Sequence, residues 1–414
     1  MNSTGDRPSL RFVLTLGALI AIGPLTIDTY LPAFPSITAD LRTTSAAVQL
    51  TLTGTLIGLA LGQLAIGPLS DAIGRKRPLV AGIAVHVLAS VLCVLAPNIL
   101  VLGILRVVQG LGVAAATVVA MAIVRDVSSG VGAAKLLSRL MLVMGAAPVL
   151  APTIGSQVLR LTSWRGIFVA LAGLGLMLIV IAVTALPETL APEHRRPGGL
   201  LSTVRSYRSL LHDRVFVGLV LVAGLAMGAL FSYVAGSSFV FQEQYGLSEQ
   251  QFGLAFGAGS VALITATQLN GLLLRWYPPR RILSTAAGTG LLAGVTMVAI
   301  AATGAGGLAG LMVPMWGALA SAGLILPNAP ALALSRHGEK AGAAAALLGA
   351  VQFGVGAVTA PLVGLIGVDG LAMASVVALS LAGSFAALLV GVRPWRLAEP
   401  TPSPRPLERI AVPG

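Results

Sequence analysis

Twelve apolar runs separated by short polar breaks make up most of the chain. They lie near residues 12 to 34, 46 to 66, 78 to 96, 99 to 124, 136 to 159, 165 to 186, 215 to 241, 250 to 274, 282 to 303, 308 to 332, 342 to 366 and 370 to 391. A helix needs about 20 predominantly apolar residues to cross a bilayer, so the pattern predicts an all-α membrane protein with twelve transmembrane helices. One interior break is long. From Pro187 to Asp213 the sequence runs Pro-Glu-Thr-Leu-Ala-Pro-Glu-His-Arg-Arg-Pro-Gly-Gly and then into a basic, amphipathic stretch with Arg205, Tyr207 and Arg208. This divides the chain into a six-helix half over residues 1 to 187, a linker over 188 to 213, a second six-helix half over 214 to 392, and a tail over 393 to 414. The tail is rich in Pro and charge and reads as disordered. Two halves of similar length are what a duplicated bundle leaves, and duplicated transporter halves enclose a midplane site and rock around it.

Composition agrees with the pattern. Of 414 residues, 56% are hydrophobic and only 10% charged, with a mean hydropathy of +0.93, whereas about a quarter of a soluble protein's residues are charged. A net charge of +12 would suggest nucleic acid in a soluble protein; here its distribution reports topology. With twelve spans and both termini in the cytoplasm, 22 of the 26 cations fall inside, including the cluster Arg75-Lys76-Arg77. Arg42, Arg160 and Arg165 fall outside, and Arg106 lies within a span. The opposite orientation inverts that ratio. The expectation is a monomeric, multi-pass protein of a bacterial inner (cytoplasmic) membrane, whose partners are the lipid bilayer, protons and a small-molecule substrate rather than nucleic acid. Arg7 and Arg11 precede the first apolar run as in a signal peptide, but that run passes Ile27 without a small-residue cleavage pattern and is kept as a span. The lone Cys93 rules out a disulfide within the chain.

Two strongly ionisable residues sit well inside the predicted spans, Asp28 and Arg106. Intramembrane charge is expensive and points to a functional site with a named partner. Counted from Pro35 and Asn98, the two lie at matching depth, roughly 10 to 12 Å at helical rise, and are expected to face one cavity. Burial favours a neutral carboxyl while a nearby guanidinium favours the charged one, and a group held between the two can bind and release a proton. Asp28 is thus a proton-coupling candidate, with a structural ion pair to Arg106 and a purely substrate-contacting role as the alternatives. Arg106 cannot release its own proton and is expected to combine structural and coupling roles. His86 is either a proton relay or a hydrogen-bonded packing residue. Tyr30, Gln49, Tyr233, Asn328 and Gln352 are weaker candidates for a cavity lining.

Small residues and prolines suggest where helices approach and bend. Gly54, Gly58 and Gly62 share one helix face that admits close approach of another helix, either as static packing or as a sliding contact between halves. The fifth span carries Gly145, Pro148, Pro152 and Gly155; proline inside a helix removes a backbone donor and bends it. Enzyme signatures are missing: none of the three lysines completes a phosphate-binding loop, and His194, His212 and His337 lack the spacing of a zinc helix. The reading is a carrier without catalytic residues, metal or cofactor.

The loop Gly67-Pro-Leu-Ser-Asp71-Ala-Ile-Gly74-Arg75-Lys76-Arg77 resembles the cytoplasmic signature between the second and third spans of major facilitator transporters. Arg106-Val-Val-Gln109-Gly110 resembles their fourth-span signature. Gly145, Pro148, Pro152 and Gly155 resemble the bend pattern of antiporters, with Ser156 where a second glycine is common. Asp28-Thr-Tyr-Leu-Pro-Ala-Phe-Pro, Val124-Arg-Asp126, Trp164-Arg165-Gly-Ile-Phe and Leu186-Pro-Glu-Thr are similar to the bicyclomycin and chloramphenicol resistance (Bcr/CflA) group of drug:proton antiporters. The resemblance implies the major facilitator fold, two pseudo-symmetric six-helix bundles, and export of a drug-like molecule against protons. It also implies a conformational latch of Gly67, Asp71, Gly74, Arg75 and Asp126 that holds the cytoplasmic side closed. The second-half loop Asn270-Gly271-Leu-Leu-Leu-Arg275-Trp-Tyr-Pro-Pro-Arg280-Arg281 lacks the acidic member. A proton-coupled carrier of a small metabolite with the same fold is the alternative, and a pore is a third, with no positive signal.

Overall fold

The computed structural model describes residues 10 to 127, 130 to 195, 200 to 337 and 340 to 396; Arg7 and the tail from residue 397 lie outside them. The described residues form helices and no strands. The first half contains α1 (Leu10–Asp28), α2 (Phe34–Asp40), α3 (Ser45–Ile73), α4 (Lys76–Val94), α5 (Ile99–Val127), α6 (Gly130–Leu161) and α7 (Trp164–Ala185). The linker contributes α8 (Leu200–Leu211). The second half contains α9 (Arg214–Phe239), α10 (Glu249–Leu273), α11 (Pro279–Thr303), α12 (Gly307–Ser335), α13 (Ala341–Ile366) and α14 (Gly370–Ala386). Helices α1 and α2 are one span interrupted by a single 3-10 turn at Leu31–Ala33, where Pro32 and Pro35 withhold backbone donors. Eleven spans among the described residues are long and apolar enough to cross a membrane, and α6, at 32 residues, completes twelve.

Polar residues at the breaks start the helices. Thr44 accepts from the Ala47 amide at the head of α3, and Asp369 from the Ala372 amide at the head of α14. Ser248 and Gln251 form a reciprocal capping box on α10, and Asp213 accepts from the Val215 and Phe216 amides of α9. Each cap satisfies donors that a helix start leaves without an intrahelical partner.

In the first half, α5 packs against α1, α3 and α4, and α7 against α4; in the second, α9 packs against α13 and α14, and α12 against α10 and α11. The glycine face of α3 serves the first of these contacts. A Cβ on Gly58 would lie 2.1 Å from the Val107 carbonyl, and one on Gly110 2.1 Å from the Thr55 carbonyl. Gly54 and Gly62 likewise meet Gly103 and Ala114 of α5. The stripe is therefore static packing within one half. The halves meet instead along α3 with α13 and α6 with α10.

Candidate functional site

Between the halves lies a central cavity of about 220 Å³. Its wall is mostly apolar, with Phe231, Phe256 and Phe353 from the second half facing Ile27, Met144 and Pro148 from the first. Asp28, the last residue of α1 and 5% exposed, is the only carboxylate in that wall. Among the described residues its carboxyl has no hydrogen-bond or ion-pair partner. Tyr233 shares the wall, stacked on Phe256 at 5.1 Å with its buried hydroxyl unpartnered among the described residues.

Arg106 is fully buried outside this cavity. Its guanidinium donates to Gln109 Oε1 and, at 3.2 Å, to the Thr26 carbonyl, and it lies 4.6 Å from the Tyr30 ring and 5.7 Å from the Phe168 ring. Gln109 in turn donates to Ser90 Oγ at 2.7 Å, and Ser90 to the His86 carbonyl at 2.7 Å. The expected shared cavity for Asp28 and Arg106 is therefore not found in this conformation. Arg106 is turned toward the polar seam between α1, α4 and α5, and Asp28 toward the cavity between the halves.

The remaining candidates divide. Tyr233 lines the central cavity, and Gln352 lines a larger vestibule beside it. Four others are engaged between helices. Tyr30 hydrogen-bonds Thr51 at 3.0 Å, Gln49 donates to the Ala235 carbonyl at 3.2 Å, and Asn328 donates to Asn270 at 2.6 Å. His86 is fully buried against α5 and α7, its ring edge close to Gly175. Met144, Met227, Phe256 and Phe353 line the cavity without any mark in the sequence, because the same residue types fill the packed core.

The vestibule, about 670 Å³, is lined by Gly67, Asp71 and Arg125 of the first half, Tyr207 of α8, and Lys340 and Gln352 of the second. It shares Thr117, Met144, Met227 and Phe353 with the central cavity. The vestibule at this basic end of the bundle therefore adjoins the cavity that holds Asp28. The other end is sealed: Ser238 donates to the Leu31 carbonyl at 2.7 Å, Ser156 reaches the Glu249 carbonyl at 2.8 Å, and Phe34 packs on Phe239 with ring centroids 5.6 Å apart. Of the bend residues of α6, Gly155 lets the Thr29 carbonyl approach within the first half and Gly145 faces Ile264 of α10 across the halves.

Beside the vestibule, Arg75 binds Asp126 at 2.8 Å, Asp71 at 2.5 Å and Ser70 at 2.9 Å. Burial works against its charge, but the hydrogen bonds of Asp126 and Asp71 outweigh this and push its pKa up. Glu188, from the Leu186-Pro-Glu-Thr motif, accepts from the backbone amides of Arg75 at 2.8 Å and Lys76 at 3.2 Å. Burial pushes its carboxyl up, yet these amides, that of Leu190 and nearby Arg195 hold it below the usual glutamate value. Gly74 has φ of +97°, and a Cβ there would meet Glu188 Oε2 at 2.6 Å, so the turn requires glycine. Every one of these partners belongs to the first half or the start of the linker. The expected latch is thus an internal cluster in this conformation, with the vestibule open beside it. No group of three or more His, Cys, Asp or Glu that could hold a metal occurs among the described residues.

Comparison with known proteins places these features in context. A model of the Major Facilitator Superfamily matches residues 14 to 361. An MFS-type transporter of Bacillus subtilis (strain 168), YdgK, is 38% identical over 367 residues, covering 88% of this chain and 90% of the relative. A bicyclomycin resistance protein homolog of Haemophilus influenzae is 33% identical over 358 residues, covering 85% and 88%. Among solved structures, an inward-facing, unoccupied bacterial homolog of the human lysosomal transporter Spinster superposes with a TM-score of 0.73 at 17% identity, covering 97% of this chain and 100% of that one.

Proposed function

The chain belongs to the major facilitator superfamily, a transporter and not an enzyme, and we propose that it is a proton-coupled exporter of small amphipathic, drug-like compounds. The observation that carries this reading is Asp28, an unpartnered carboxylate in an otherwise apolar cavity between the halves. A carboxylate in such surroundings needs either a proton or a ligand, so a proton and a substrate compete for one site. The similarity to a bicyclomycin resistance protein homolog supports outward drug transport as the direction.

In the proposed cycle the basic end faces the cytoplasm, as the cation distribution favours, with both termini on that side of a bacterial inner membrane. Substrate enters through the vestibule and settles among Phe231, Phe256, Phe353 and Met144, while Asp28 gives its proton to the cytoplasm. The halves, residues 1 to 187 and 214 to 392, then rock about their interface. The seal at Leu31 and Ser238 opens, and an external proton on Asp28 weakens the hold on substrate. Arg106 keeps the end of α1 in place through the Thr26 carbonyl, and the Arg75 cluster ties together the cytoplasmic ends of α3, α4 and α5 in the first half. Each charge moved inward gains about 2.3 kcal/mol per 100 mV, enough to drive accumulation. The test is transport of a fluorescent amphiphile such as ethidium in everted vesicles: Asp28→Asn abolishes pH-gradient-driven accumulation. Undiminished accumulation in that variant rules out Asp28 as the coupling group.

A further inference from the structure

The corresponding loops of the two halves are both basic but differ in acidic content. In the first half, the loop between α3 and α4 answers Arg75 with Asp71 and Asp126 from within the chain. In the second, the loop between α10 and α11 reads Arg275-Trp276-Tyr277-Pro278-Pro279-Arg280-Arg281. It has no acidic residue, and none occurs in the sequence from 250 to 338. Asp213, the last residue of the linker, is already taken by Arg336 at 3.3 Å, by His337 at 3.0 Å and by the head of α9.

The loop is ordered, not trailing. Tyr277 donates its amide to the Leu273 carbonyl at 2.8 Å, and Arg281 to that of Pro278 at 2.9 Å, with the two prolines fixing the turn. Its side chains nonetheless point outward. Trp276 is 66% and Tyr277 49% exposed, and Arg275 and Arg281 are exposed as well. Apolar Leu272 and Leu274 are also uncovered on this stretch. Indole and phenol rings favour the headgroup level of a bilayer, and guanidinium groups bind phosphate oxygens bidentately. Arg275 and Arg281, exposed and with no acidic partner among the described residues, lie beside two exposed aromatics at the end of a spanning helix and are complementary to the headgroup of an acidic phospholipid.

We propose that Arg275 and Arg281, flanking Trp276 and Tyr277, form a binding site for an anionic phospholipid headgroup, with a two-phosphate lipid such as cardiolipin the match in charge to two guanidinium groups. The site needs no transport activity and does not depend on the reading of Asp28. Native mass spectrometry of the full chain in detergent tests it, with tetraoleoyl cardiolipin and dioleoyl phosphatidylcholine as probes. Wild type retains cardiolipin in preference to phosphatidylcholine. With each arginine near an anionic surface contributing as basic residues commonly do, R275Q/R281Q weakens cardiolipin binding about thirtyfold and leaves phosphatidylcholine binding unchanged. The control pair R205Q/R208Q, exposed arginines of α8, leaves cardiolipin binding at the wild-type level. Unaltered cardiolipin binding in R275Q/R281Q overturns the proposal, and so does an equal loss in the control pair, which would mean diffuse attraction to the basic end. Thermal unfolding of both variants at the wild-type temperature shows that the comparison is between folded proteins.

Discussion

Glu188 shows how one carboxylate joins the linker to the first half. It caps the head of α4 by accepting from the Arg75 and Lys76 amides, and its carboxyl is held below the ordinary glutamate value. A carboxyl with a depressed folded-state pKa stabilises the fold above its unfolded pKa and loses that contribution as pH falls through the folded value. Glu188→Gln is therefore expected to melt below wild type at neutral pH by a margin that stays constant down to about pH 4.5 and then shrinks toward zero. Thermal unfolding in detergent across that range checks this, and a margin that is already gone by pH 6 would refute it. Asp28 and Arg106 stood out in the sequence because any charge does in an apolar run. What the residues could not tell was azimuth. Counting along a helix gives height, whereas the direction of a side chain depends on where the neighbouring helices lie, and here α1 presents Thr26 to Arg106 and Asp28 to the cavity. For the same reason Phe256 and Met144 were invisible as lining residues.

Helix α3 carries two kinds of glycine that the sequence does not distinguish. Gly58 leaves no room, since a Cβ would stand 2.1 Å from the Val107 carbonyl, whereas at Gly67 one would meet nothing within 4 Å. Overpacking a tight contact typically costs about 1 to 3 kcal/mol. Gly58→Ala should thus lower thermal stability and yield of folded protein, and Gly67→Ala should leave both unchanged apart from its small gain in helix propensity. Equal melting temperatures for the two variants would mean that α3 and α5 are not packed as closely as described. The spanning helices are legible because hydrophobic length is a local property. Which helices touch is not local: the periodic glycines announced a close neighbour without naming it, and α5, not the second half, fills that place. The interruption between α1 and α2 follows from Pro32 and Pro35, whereas α6 continues as a helix through Pro148 and Pro152, with Ser156 bonding back to the Pro152 carbonyl.

The open basic end and the sealed opposite end imply one particular obstacle to switching. Gly67 faces the vestibule, and on this side α3 already meets α13, where a Cβ on Gly349 would lie 3.0 Å from the Gln63 side chain. If the halves close here during transport, the empty space over Gly67 is what α13 must enter. At Gly67 a Cβ meets nothing within 4 Å in the open conformation, so a valine there is expected to be accommodated when the vestibule is open and to obstruct its closure. Gly67→Val is therefore expected to fold and melt like wild type while turning over at least about tenfold more slowly, since 1.4 kcal/mol of added strain in the closed state already shifts the equilibrium by that factor. A cysteine placed at Gln352, in the vestibule wall, reports the same bias directly. It should stay reactive to a membrane-impermeant maleimide applied to everted vesicles when position 67 is valine, whether or not substrate is present, and become protected by substrate cycling when it is glycine. A Gly67→Val protein that transports at the wild-type rate would mean that the basic end never closes over α3, and the halves would then have to exchange access by some motion other than rocking about the α3 and α13 contact.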